Sequence, residues 1–221
     1  MKFLRRKTWE KYWAEKESRN SILENIFSLY RRSLIATQVC IYVERYFPQK
    51  GIYMELGSGT SETSVKILRR NRILGAVDFS SHALSRARKI SIMDFYIQAD
   101  IFKLPLKDES IDGIWNVGVM EHFTEVELIQ ILKEFNRVLK NDRFCVLFWP
   151  WILAPSHIIF GTYERILRKM GIYKQIFPDA PSMFKRKEYV KKLMKKAGFA
   201  DVRFHPPLFD FTHWVVVGHK K

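Results

Sequence analysis

The chain has 221 residues, of which 47% are hydrophobic and 14% aromatic, and it carries a formal net charge of +15. That composition supplies a sizeable core and excludes a largely disordered chain. The longest uncharged apolar run, FCVLFWPWILAP, is too short and too interrupted by proline to span a bilayer, and the charged opening MKFLRRKTWEKYW does not read as a secretory signal.

In chain order, residues 8–18 and 21–47 carry helical patterns. In the second, Ile22, Ile26, Leu29, Tyr30 and Leu34 recur at helical spacing, Ser21 with Glu24 has the spacing of a capping box, and Pro48 and Gly51 end the element. A strand–helix alternation follows. GIYMEL predicts a first strand, 60–70 a helix, RILGAVDF a second strand, 81–90 a helix, DFYIQAD a third strand and IDGIWNVG a fourth. Residues 125–139 predict an amphipathic helix opened by Thr124 and Glu127, and RFCVLFW predicts a fifth strand. Such an order predicts an α/β fold with a parallel sheet and helices on both faces.

Residues 150–184 break the rhythm with Pro150, Pro155, Pro178 and Pro181 and one predicted helix near 157–170. RKEYVKKLMKKAG predicts a basic helix ending at Gly198, and ADVRFHP and HWVVVGH predict two antiparallel strands. The two cysteines, Cys40 and Cys145, lack metal spacing; a reducing, cytoplasmic setting and no bound metal are expected.

The segment YMELGSGTSETS holds the most informative chemistry. Gly57 and Gly59 fall where the first strand turns, and bare backbone there permits both the turn and close approach of a ligand. A nicotinamide fingerprint would need glycine at position 62. Glu62 stands there instead, a carboxylate that would repel a pyrophosphate. No Gly-Lys-Ser/Thr follows, so a P-loop is also excluded. The pattern that remains is acid-x-Gly-x-Gly-x-small: Glu55, Gly57, Gly59, Ser61. Asp78, at the end of the second strand, can accept both hydroxyls of a ribose.

Glu55-x-Gly57-x-Gly59 resembles motif I of class I S-adenosylmethionine-dependent methyltransferases, with Ser61 in place of the usual third glycine. YIQADIFKLPLKDESIDGIWNVGVMEHF, LKEFNRVLKNDRFCVLFWP and LMKKAGFADV resemble later segments of that family, in order, over roughly residues 51–149 and 185–219. The resemblance implies a Rossmann-like seven-stranded, mostly parallel sheet in the order 3-2-1-4-5-7-6. It implies one methyltransferase domain over 1–221: a helical extension at 1–50, a cofactor-binding core at 51–149, a cap inserted after strand five at 150–184, and a final helix and strand hairpin at 185–221. It also implies S-adenosyl-L-methionine as cofactor, held by Glu55, Gly57, Ser58, Gly59, Asp78, Phe79, Asp100, Ile101, Asn116 and Val117. Phe79 would pack on the adenine, Asp100 and the Ile101 amide would meet its edge, and Asn116 and Val117 would lie beside the methionine part.

His122 is the candidate catalytic base, with a structural histidine at the start of the next helix as the alternative; Glu121 has the same two readings. The excess charge is divided unevenly: +6 over residues 1–50, zero over 51–160 and +8 over 161–200. The resemblance implies that the N-terminal helices and the segment after strand five cover the acceptor, and in this chain those regions carry the positive charge. Arg165, Arg168, Lys169, Lys185, Arg186 and Lys187 lie in them, interleaved with Trp9, Trp13, Trp151, Phe160, Tyr163, Tyr173, Phe177 and Phe184. This favours a small or lipid-linked, anionic acceptor methylated at O or N, with peripheral contact to an anionic membrane. The alternatives are an RNA methyltransferase, without a recognisable RNA-binding module, and a non-catalytic cofactor-binding or scaffolding protein.

Overall fold

The computed structural model describes residues 9–14, 22–155 and 180–221, together with positions 158, 162, 165, 169 and 171. Seven strands form one sheet: β1 (Lys50–Leu56), β2 (Asn71–Asp78), β3 (Phe95–Gln98), β4 (Ile111–Val117), β5 (Leu139–Pro150), β6 (Asp201–His205) and β7 (His213–His219). Their order is 3-2-1-4-5-7-6, the order the family resemblance implies. β1 to β5 are parallel, and β7 runs antiparallel between β5 and β6. The helices are α1 (Ile22–Tyr30), α2 (Ala36–Tyr46), α3 (Ser81–Ile90), α4 (Glu125–Val138) and α5 (Lys187–Lys196).

The N-terminal pattern read as one helix is interrupted. α1 and α2 are joined by a π-helical stretch, Arg31–Ile35. Residues 9–14 are helical, while Ser21 and its capping box lie outside the described residues. The inserted helix near 157–170 also falls largely outside them, as do Phe160, Tyr163, Arg168, Tyr173 and Phe177.

One predicted element is absent. Residues 60–70 do not form a helix; only a short 3₁₀ turn, Glu62–Ser64, is present. Thr60, Ser61, Thr63, Ser64 and Val65 are β-branched or hydroxylated residues, which compete with helical backbone bonding or lose rotamer freedom in a helix. Ser61 takes φ 55, which stops a helix at its first turn, and the Ser64 hydroxyl accepts from the Trp115 indole at 3.0 Å.

α2 covers that face of the sheet. Its Val39, Tyr42 and Val43 are buried in one cluster with Tyr53, Leu74, Trp115, Phe148 and Ile67. The buried Arg72 side chain on β2 fixes the end of α2 by donating to the carbonyls of Phe47 at 2.8 Å and Pro48 at 2.9 Å, and it pairs with Glu44. On the opposite face, α4 and α5 bury Leu128, Ile131, Leu132, Phe135, Val190, Leu193 and Met194 with Met54, Ile114, Leu147 and Val216. α4 opens with the expected capping box: Glu127 accepts from the Thr124 amide at 2.9 Å. Ser80 caps α3, its hydroxyl accepting from the Ala83 amide at 3.3 Å.

Gly75 in β2 lies where a Cβ would sit 2.4 Å from the Phe95 ring and 2.6 Å from the Met54 sulfur. Gly75→Ala is therefore expected to cost about 1–3 kcal/mol through overpacking, read as a lower urea midpoint at unchanged m-value.

Candidate active site

The first parallel strands end at one edge of the sheet, where ligands of open α/β sheets bind. Beyond β1 the chain turns through Gly57 at φ 72 and Gly59 at φ 51, conformations that glycine adopts without strain. The amides of Gly57 and Ser58 donate to the Val77 carbonyl at 2.8 and 2.9 Å. The Gly59 amide donates to Asp78 Oδ2 at 2.8 Å, and the Ser80 amide to Oδ1 at 2.9 Å. Asp78 thus holds the turn against the end of β2. Burial pushes its carboxyl up to about 6, with Glu10 adding in the same direction against the pull of the two amides.

The turn opens onto a cavity of about 360 Å³. Gly57, Ser58, Gly59, Asp78, Phe79, Asp100, Ile101, Val117 and His122 all line it. Glu55 and Asn116 do not reach it; both are buried in the strands behind. Glu55 instead supports the turn from beneath, accepting from the Thr63 hydroxyl at 3.2 Å, while its Oε2 has no partner. Its complete burial drives the carboxyl up to about 7. Asn116 Nδ2 contacts the Met120 sulfur at 3.2 Å.

Aromatic rings form much of the remaining wall. Trp9, Tyr12 and Trp13 come from the N-terminal segment, and Phe27 and Tyr30 from α1. Trp9 packs edge-on against His122, with ring centroids 4.9 Å apart. Trp13 lies 3.0 Å from the place a Cβ on Gly59 would occupy, and Glu10 accepts from the Ser80 hydroxyl at 3.0 Å. The predicted basic helix start, Lys185, Arg186 and Lys187, is exposed and absent from the lining, and Phe184 is a core residue.

Two features of the site were not anticipated from the sequence. Glu62 accepts from Arg31 Nε at 2.6 Å and from the Ser28 hydroxyl at 2.6 Å, tying α1 and the π-helical stretch to the turn. Burial would raise this carboxyl, but the Arg31 and Arg32 charges and the hydrogen bonds from Ser28 and Arg31 together hold it below the usual range. The second is the pair Asp210–His213 at the start of β7. His213 Nδ1 is hydrogen-bonded to Asp210 Oδ2, and the ring lines the cavity. Asp210 Oδ1 accepts the amides of Thr212 at 3.0 Å and His213 at 3.1 Å. Burial tends to raise Asp210, yet His213 and these amides bring it below the ordinary carboxylate range.

Three buried side-chain oxygens of cavity-lining residues have no hydrogen-bond partner among the described residues: Ser58 Oγ, Ser61 Oγ and Glu121 Oε2. With the bare glycine turn and the Asp78 carboxylate, they fit a polar cofactor carrying a ribose diol and an amino-acid end. Among the described residues no group of three or more His, Cys, Asp or Glu could hold a metal, and no helix is long and apolar enough to cross a membrane.

Residues 54–147 match the methyltransferase-domain family. Among solved structures, the chain is similar to a SAM-dependent methyltransferase from Thermotoga maritima, described as a possible histamine N-methyltransferase. The TM-score is 0.64 at 24% identity, over 96% of this chain and 98% of that one. A SAM-dependent methyltransferase from Methanosarcina mazei aligns with TM-score 0.59 at 15% identity, over 81% and 96% of the two chains. A protein from Bordetella parapertussis, described as a possible exported protein, aligns with TM-score 0.65 at 15% identity; the match covers 84% of this chain and 66% of that one. No curated protein matches. The matched segment runs from within β1 into β5, and these solved structures share the fold of this chain.

The burial of Glu55 makes folding stability depend on pH. Its folded-state value of about 7 lies above its ordinary 4.5, so its favourable contribution is complete below 4.5 and is lost as pH rises towards 7. Glu55→Gln is expected to melt higher than the wild type at pH 8, with the advantage shrinking towards pH 5. Thermal unfolding of both proteins across that range checks it.

Proposed function

We propose that the chain transfers the methyl group of S-adenosylmethionine to the oxygen or nitrogen of a small acceptor held in the aromatic cavity. The observation that carries the reading is the glycine turn fixed by Asp78, opening directly onto that cavity. When bound, the cofactor supplies an electrophilic methyl group on a sulfonium. The protein's part is to bind, to align and to exclude water. Gly57 and Gly59 allow close backbone approach, Asp78 receives the ribose hydroxyls, and Phe79, Asp100 and Ile101 surround the adenine. Ser58, Ser61 and Glu121 offer unpartnered polar atoms to the rest of the cofactor or to the acceptor. Aromatic faces suit a sulfonium or an amine.

The charge of the lining favours an uncharged or amine-bearing acceptor over an anion. Glu62, Asp78, Asp100 and Glu121 supply carboxylates, while Arg31 is the one Lys or Arg side chain among the described lining residues and pairs with Glu24 and Glu62. Lys185, Arg186 and Lys187 lie outside this lining. A second reading, in which an anionic membrane presents a lipid-linked acceptor, draws on the exposed Lys185, Arg186 and Lys187 and on exposed apolar side chains: Ile152 and Leu153 after β5, and Leu208 and Phe211 before β7.

Calorimetry with S-adenosylmethionine tests the first reading. Asp78→Ala is expected to weaken binding by roughly 1.5–3 kcal/mol, the scale of hydrogen bonds to a charged group. Unchanged affinity in a folded variant would sink the assignment. Co-sedimentation with anionic and neutral vesicles across a salt series, run beside an RNA-binding assay, tests the second. Salt-sensitive binding to anionic vesicles without RNA binding is the expected result. RNA binding alone would favour an RNA acceptor.

A further inference from the structure

We propose that His213, oriented by Asp210, is the general base that takes the acceptor's proton; this rests on the methyl-transfer reading above. The strongest evidence is the arrangement of the ring. Its Nδ1 is bonded to the carboxylate of a residue 1% exposed, and that carboxylate is itself fixed by the amides of Thr212 and His213. An ionised carboxylate is an acceptor only, so in the neutral imidazole Nδ1 carries the proton and Nε2 holds the lone pair.

Nε2 faces the site. It lies 3.9 Å from where a Cβ on Gly118 would stand, and the nearest other side-chain atom to that point is Glu121 Oε1 at 3.4 Å. Gly118, Glu121 and His213 all line the cavity, and Nε2 has no hydrogen-bond partner among the described residues.

The surrounding bonds hold this ring in place. Tyr30 donates to the Asp210 carbonyl at 2.5 Å and meets the Thr212 hydroxyl at 2.8 Å. Gln38 Nε2 donates to the His213 carbonyl at 3.1 Å, and the Trp151 amide to the Thr212 carbonyl at 3.1 Å. A merely structural histidine needs no such ordered carboxylate behind it and no unused nitrogen facing a cavity. His122 has a different setting: its Nε2 faces Glu121 Oε1 at 3.5 Å, and its ring packs on Trp9.

In the step, a lone pair on the acceptor's oxygen or nitrogen forms the new bond to the methyl carbon. The carbon–sulfur bond breaks, and its electron pair stays on sulfur, leaving the neutral thioether S-adenosylhomocysteine. The acceptor's proton passes to His213 Nε2, and the imidazolium is balanced by Asp210 until the proton leaves to solvent. His213 is the catalytic residue here, and Asp210 is a positioning residue.

The test uses the full chain labelled with ¹⁵N-histidine, first alone and then saturated with S-adenosylhomocysteine, with 4-nitrophenol as a small acidic probe. The expected result is an unprotonated Nε2 on His213 in the free protein and a large change in its resonance when the probe is added. A phenolate absorbance shift of the bound probe should accompany it. His213→Gln should lose the absorbance shift and keep S-adenosylhomocysteine affinity within twofold by calorimetry. Asp210→Asn should move the proton to Nε2 and, with it, abolish the absorbance shift of the bound probe, a loss that a purely structural role would not produce. An Nε2–H tautomer in the wild type, a probe that leaves His213 unperturbed, or a probe that perturbs His122 instead would each overturn the proposal. Absence of S-adenosylhomocysteine binding would overturn the methyl-transfer reading, while the tautomer of the free protein would still decide the His213–Asp210 assignment.

Discussion

The architecture depends on how one face of the sheet is covered next to the glycine turn. A central parallel strand cannot leave a face to water, because its side chains are apolar on both sides. After β1 the chain spends its residues on a hydroxyl-rich turn that forms no helix, so cover must come from elsewhere. α2 supplies it, burying Val39, Tyr42 and Val43 on the sheet. Once α2 is fixed there, α1 and the π-helical stretch are carried to the strand ends, where Arg31 and Ser28 bond to Glu62. The N-terminal residues are therefore one wall of the site as well as part of the core.

The site inherits its electrostatics from this packing. Glu55 and Asp78 are both buried behind the turn, and both carboxyls are raised by loss of hydration. Glu62 is partly buried too, but its cationic partners reverse the sign. Three carboxylates within one turn-and-strand unit thus have three environments, and only Asp78 combines burial with exposure of its surroundings to the cavity and a fixed backbone bond on each oxygen. Raised carboxyls of this kind cluster at functional sites because the protein tolerates their cost where they bind something.

Much of this was legible in the residues. The alternation from GIYMEL to RFCVLFW carries the parallel sheet, and the two glycines with Asp78 mark the turn that opens onto the cavity. The helix expected over 60–70 is absent because the hydroxyls of Thr60, Ser61, Thr63 and Ser64 compete with helical backbone bonding. The Glu62–Arg31 contact spans 31 residues and has no periodic signature. Asp210 and His213 had a signal that went unread. In the order 3-2-1-4-5-7-6, an antiparallel β7 begins at the edge where β4 and β5 end, and Pro150 pairs with His213. An Asp-x-x-His at the start of that strand therefore lies by the cavity. The strand-four exit, by contrast, offers His122 and Glu121.

The N-terminal segment has a thermodynamic consequence. Trp13 rests against the Gly59 turn, and Glu10 reaches the Ser80 hydroxyl beside Asp78. The surface a ligand would need is thus already touched by the protein's own indole and carboxylate. A molecule that settles on the turn shares this surface with Trp13 and Glu10, so any displacement of those side chains subtracts from its affinity. Binding at the turn is thereby coupled to residues more than forty positions away in the chain.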